Sequence, residues 1–90
     1  MSLENQFAQI ETVISIKNKR VVKAIGEHIR YLRQQLNLSQ EDLAHEADIP
    51  ISQVGRIERG ETNPTISTLF VIAEALKTDL KTIVDFKSKK

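Results

Sequence analysis

The chain of 90 residues contains no cysteine. That absence removes disulfides, thiolate nucleophiles and zinc ribbons at once, and it agrees with a reducing compartment. No stretch stays apolar for the roughly 18 residues that a membrane helix needs, and the N-terminal segment has no signal-type apolar region. A soluble, cytoplasmic protein is expected. Also absent are a phosphate-cradling glycine loop, an HExxH pair and a serine in a nucleophile-elbow context, so catalysis is not expected. His28 and His45 fall on different predicted helices without ligand spacing, and neither a metal nor a cofactor is expected.

Ninety residues suffice for one domain with a modest core and leave no room for a separate sensor domain. The net charge of +1 says little, but its distribution says more. Lys17, Lys19, Arg20, Lys23, Arg30 and Arg33 crowd one region opposed only by Glu27, whereas Glu41, Asp42, Glu46 and Asp48 follow just after.

From Val22 the apolar residues Ile25, Ile29, Leu32 and Leu36 recur at steps of three and four, which predicts a helix from about 20 to 35. Asn37 tolerates the left-handed conformation that ends helices. The next start is better marked: Ser39 suits the N-cap, Asp42 completes a capping box, and Leu38 and Leu43 hold the staple positions. This second helix turns Leu43, Ala44 and Ala47 inward and ends near Ala47. Asp48, Ile49 and Pro50 break it, because proline donates no amide hydrogen and disfavours helical geometry at Ile49 while suiting a new helix start. A third helix therefore runs from Pro50 or Ile51 to Arg59 and stops at Gly60. It buries Val54 and Ile57 and leaves Ser52, Gln53, Arg56 and Arg59 outside.

"ETNPT" reads as a loop ending in Thr65, the cap of a fourth helix buried through Ile66, Leu69, Ile72, Ala73 and Leu76. Asp79 caps a short fifth helix carrying Leu80, Ile83 and Val84, with Phe86 close behind. No alternating strand pattern competes over residues 20 to 86. The expected fold is an all-α, compact five-helix domain over residues 21–86, with an extension over 1–20 and a basic tail over 87–90. In the extension Leu3, Phe7, Ile10 and Val13 or Ile14 keep helical spacing and fit an ordered helix, while "TVISI" is β-branched, suits extended backbone and leaves a frayed or partly disordered arm as the alternative. Both readings stay open.

The tight pairing of the second and third helices is the geometry of a DNA-binding helix-turn-helix. Through "IRYLRQQLNLSQEDLA", "VGRIERG", "NP" and "LFVIAEAL", spread over residues 29 to 76, the sequence strongly resembles the phage-repressor, Xre/Cro-type family of regulators. The resemblance implies that Gln40 touches phosphate and braces the recognition helix, and that Ile51, Ser52, Gln53 and Arg56 face the groove. It implies that Arg33 and Glu58 form a salt bridge between the first and third helices, and that Thr62 and Asn63 approach the sugar-phosphate backbone. Arg59 is a further phosphate candidate. Two residues depart from the family pattern: Asp48 where glycine is frequent in the turn, and Gly55 where serine is common, bringing the backbone nearer the groove.

Residue chemistry supports these roles. Arginine can make two hydrogen bonds to guanine O6 and N7, and glutamine can pair similarly with adenine, each discriminating by about 1–3 kcal/mol. Arg56 is the first candidate for a guanine reader; its alternative is an ordinary exposed helix arginine. Gln53 is second, or contacts phosphate, and Ile51 can meet only a thymine methyl. Lys17 to Lys23, with Lys87, Lys89 and Lys90, offer either non-specific phosphate attraction or simple solubility.

The expected function is sequence-specific regulation of transcription, most simply repression, by occupying double-stranded DNA as a homodimer on a palindromic operator. Leu80, Ile83, Val84 and Phe86 are expected at the dimer contact, with Phe7 and Ile10 as the alternative seam. The rival reading is an antitoxin or adaptor module whose chief partner is a protein.

Overall fold

The computed structural model describes residues 18–86, which form five helices: α1 Lys19–Gln35, α2 Gln40–Ala47, α3 Ile51–Glu58, α4 Ile66–Ala75 and α5 Leu80–Val84. Residues 1–17 and 87–90 lie outside the described residues. So do the open reading of the N-terminal extension, the Phe7 and Ile10 seam, Lys17 and the basic tail.

Helix starts follow local side-chain chemistry. The Asn18 side chain accepts from the Val21 amide at 3.1 Å and opens α1 slightly earlier than periodicity suggests. At α2 the capping box is complete: Ser39 Oγ accepts from the Asp42 amide, and Asp42 Oδ2 accepts from the Ser39 amide, each at 2.9 Å. The amide bond into the carboxylate favours its ionised form, and with the Ser39 side chain beside it holds Asp42 below its ordinary pKa. Thr65 and Asp79 cap α4 and α5 in the same way, through the amides of Thr68 and Thr82.

The stops share one device. After α1, α2, α3 and α4 a residue takes the left-handed conformation: Asn37 at φ 58°, Asp48 at 58°, Gly60 at 74° and Lys77 at 59°. In each case the following amide reaches back over the last turn, as Leu38 N–H does to Arg33 O at 3.1 Å and Ile49 N–H to Ala44 O at 3.0 Å. This satisfies carbonyls that the helix end would otherwise orphan. Asp48 thus performs the turn that glycine often performs, and the interval between α2 and α3 shrinks to three residues.

Ile29, Leu43, Val54, Ile57, Ile72 and Ile83 are fully buried, one or two from every helix. Helix α3 packs on both α1 and α2, α2 rests on α4, and α5 closes the bundle against α4 and α1. At the closing seam His28 Nε2 donates to the Thr82 carbonyl at 2.9 Å. Some expected core residues turn out differently. Leu36 is 42% exposed because it stands where α1 is already ending, and Ile66, in the first turn of α4, is 66% exposed. Ile83 is 0% exposed within the domain's own core, so it is not free to line a contact with another subunit.

Candidate nucleic-acid interface

Helix α3 begins at Ile51, with Pro50 at the cap position and no side-chain cap. Its buried side carries Val54, Gly55, Ile57 and Glu58, and Ser52, Arg56 and Ile51 lie on the exposed side. Gln53 sits at the margin, half-buried. The four residues expected to face DNA are therefore on one eight-residue element, three open to solvent and one partly sheltered.

What fixes this helix is a polar junction at its base. Arg33 Nε donates to Glu58 Oε2 at 2.7 Å, and an Arg33 Nη donates to Glu58 Oε1 at 2.9 Å. The remaining Nη donates to the carbonyl of Leu38 at 2.7 Å. Gln40 Nε2, from the first turn of α2, also donates to Glu58 Oε1 at 3.0 Å. One carboxylate on α3 is thus held by α1 and α2 together. The pair is sheltered, with side-chain exposure of 10% for Arg33 and 2% for Glu58. Hydrogen bonding to Glu58 raises the Arg33 pKa further, so the cation is permanent. Among the described residues no buried side-chain nitrogen or oxygen lacks a partner. A buried charge pair tolerates loss of water only when its bonds are this complete.

Gly26 makes the junction sterically possible. A Cβ at this position would collide with the carbonyl oxygen of Ile57 and lie 2.9 Å from that of Glu58. Both are backbone atoms, so nothing can swing away. Sequence reading did not single out Gly26; its only mark is a glycine inside an apolar helical stripe, which signals close backbone approach when a partner helix is known.

Gly55 leaves room for two polar side chains. It is buried: a Cβ there would stand 3.0 Å from Arg59 Nη1 and 3.6 Å from Gln40 Oε1. Arg59, anticipated as a phosphate contact, folds back over this glycine. Its Nε donates to Glu61 Oε2 at 2.8 Å and its Nη2 to Glu61 Oε1 at 3.1 Å. This second pair is open to water, with side-chain exposure of 57% and 51%. Thr62 and Asn63 lie in the loop beyond, the first half-buried and the second exposed. Glu61 carried no role in the sequence reading, and its spacing from Arg59 across a glycine turn is the signal that was available.

The fold and this junction define a helix-turn-helix unit: two short helices separated by a three-residue turn, the second presenting its polar side outward. The helix-turn-helix family profile matches residues 29–83, and the chain belongs to that family of DNA-binding transcriptional regulators, which are not enzymes. It is 38% identical over 60 residues to the control protein C.SmaI of Serratia marcescens, covering 67% of this chain and 71% of that protein. It is 37% identical over 60 residues to the immunity repressor protein of Bacillus phage phi105, covering 67% of this chain but only 42% of that repressor. Among solved structures it is similar to the restriction-modification controller protein C.AhdI from Aeromonas hydrophila. There the TM-score is 0.68 at 32% identity, covering 69% of this chain and 94% of that one.

Proposed function

We propose that this regulator acts by occupancy, laying α3 in the major groove of an operator as one half of a twofold dimer and so repressing transcription. The observation that carries the proposal is the orientation of α3. Glu58 locks one side of the helix to α1 and α2, which leaves Ser52, Gln53 and Arg56 together on the other. Arg56 reads guanine, Gln53 reads adenine or takes a phosphate, Ser52 adds a hydrogen bond, and Ile51 meets a thymine methyl. Gln40, Thr62 and Asn63 take up the sugar-phosphate backbone, whereas Arg59, engaged by Glu61, does not. Repression is the action that the name of the phage relative gives to that protein.

One recognition helix reads too few base pairs to select a site in a genome, which favours a dimer with half-sites about 34 Å apart. Leu80, Val84 and Phe86 supply the contact, without Ile83. Exposed Ile66 and Phe70, one turn apart on α4, extend the apolar area available to it. Light scattering of Phe86→Glu and Phe70→Glu variants checks this assignment, the expected result being a monomer. A dimer undisturbed by either change would move the seam elsewhere.

The function is tested by selecting bound duplexes from a random pool. A palindromic motif is expected, and repeating the selection with Arg56→Ala should relax one base position per half-site. Absence of any enriched duplex, together with capture of a protein partner by the Ile66 and Phe70 surface, would support the adaptor reading instead.

A further inference from the structure

Glu58 and Arg59 are sequence neighbours, yet the two charges have opposite fates. Glu58 is buried in the junction, whereas Arg59 lies outside on Glu61. A guanidinium fork fits two anions equally well, a carboxylate and a phosphate. Arg59 flanks the proposed reading helix, on the same side as Gln40, and its fork is already filled through two hydrogen bonds. We propose that Glu61 is an internal phosphate substitute that withholds Arg59 from the DNA backbone and thereby sets the affinity and salt sensitivity of binding. The inference rests on the DNA-binding reading above and deepens it by naming a residue that regulates that site.

Three observations carry it. The pair is bidentate, so the arginine's directional donors are occupied rather than merely neutralised. It is open to solvent on both partners, so exchange with a competing anion is not blocked by burial. Gly55 leaves the space into which the guanidinium folds, with Nη1 only 3.0 Å from where a Cβ would stand. The hydrogen bond from Arg59 holds the Glu61 carboxyl below its usual range, and the nearby charge of Arg56 acts in the same direction. Glu61 therefore stays ionised wherever DNA binding is measured, and its negative charge also faces the incoming polyanion. Contact of Arg59 with phosphate requires breaking the pair and leaving that carboxylate next to DNA.

The experiment measures binding of mixed-sequence duplex DNA across about 50–200 mM salt for the parent, Glu61→Gln, Arg59→Ala and the double variant. Glu61→Gln should bind more tightly and steepen the log–log salt slope by about 0.9 per protomer, the increment for one more neutralised phosphate. Its advantage over the parent then shrinks about 3.5-fold per protomer over that fourfold salt range. Arg59→Ala alone should leave the parent slope unchanged, and the double variant should return to it. Three results would overturn the proposal: a flatter slope for Arg59→Ala alone, which places Arg59 on phosphate already; no change in Glu61→Gln; or a gain in Glu61→Gln that survives removal of Arg59, which reduces Glu61 to a distant charge. A parent protein with no salt-sensitive binding at all would instead defeat the DNA-binding reading itself.

Discussion

Two arginine–glutamate pairs of nearly equal length, 2.7 and 2.8 Å, lie at the two ends of the Glu58–Arg59 peptide bond. Arg33–Glu58 is sheltered from water and shared by three helices; Arg59–Glu61 is open and forms at the end of one helix and its turn. Coulomb attraction at a given distance strengthens as the surrounding dielectric falls, but so does the penalty for leaving either partner alone. The buried pair therefore holds α3 in place, and the open pair is free to change partners. Distance alone would have ranked them as equals.

The largest expected effect comes from breaking the buried side of the comparison. Glu58→Ala strands the Arg33 guanidinium without its carboxylate and should lose about 3–5 kcal/mol, a large share of the roughly 5–15 kcal/mol that a domain possesses. Urea unfolding measures it, and a loss below about 1 kcal/mol would place the pair with ordinary surface bridges. Gly26→Ala attacks the same junction through shape, because the added methyl meets fixed carbonyl oxygens of α3. A loss of about 1–3 kcal/mol or more is expected from this crowding, read in the same urea experiment.

Gly55→Ala has the opposite sign. Its methyl crowds the movable end of Arg59 and meets Gln40 Oε1 at ordinary contact distance, while alanine improves the helix, so a gain of roughly 0.5–1 kcal/mol is expected. Thermal unfolding should show a raised Tm, and a lowered one would mean that Arg59 cannot yield. Arg59→Ala should leave Tm unchanged, since its pair is exposed.

A smaller, graded effect concerns acid. Hydrogen bonds from the Ser39 amide and hydroxyl hold Asp42 below its ordinary 3.8, and the Thr82 side chain and amide do the same for Asp79. Depressed carboxylate values give stability that is fully present above the unfolded value and lost as pH falls through the folded one. Tm should thus hold steady down to about pH 5 and decline below about pH 4. In Asp42→Asn that decline should be shallower, and an identical acid profile would remove the capping box from the account.

The sequence made legible those features that depend on a few neighbouring residues. Ser39 with Asp42, Thr65, Asp79 and the Asp48–Pro50 break located helix ends because caps and breaks are local chemistry. Lys77 escaped notice, since lysine carries no turn signature, yet it takes the left-handed conformation that ends α4. Periodicity likewise told which residues share a helix side but not how wide the covered arc would be. Ile66 and Leu36 extend the apolar stripes past the point where another helix covers them. Ile83, read as a contact for a second subunit, is needed by the first. Gly26 and Glu61 matter through what lies across from them, one a helix crossing and the other a turn that returns on itself.

Whether α3 is the surface that meets DNA is tested most directly by recording backbone amide resonances of the protein while a selected duplex is added. The largest shifts are expected at Ser52, Gln53 and Arg56, with Gln40 and Asn63 following. Shifts concentrated on α4 and α5, with α3 silent, would contradict that expectation.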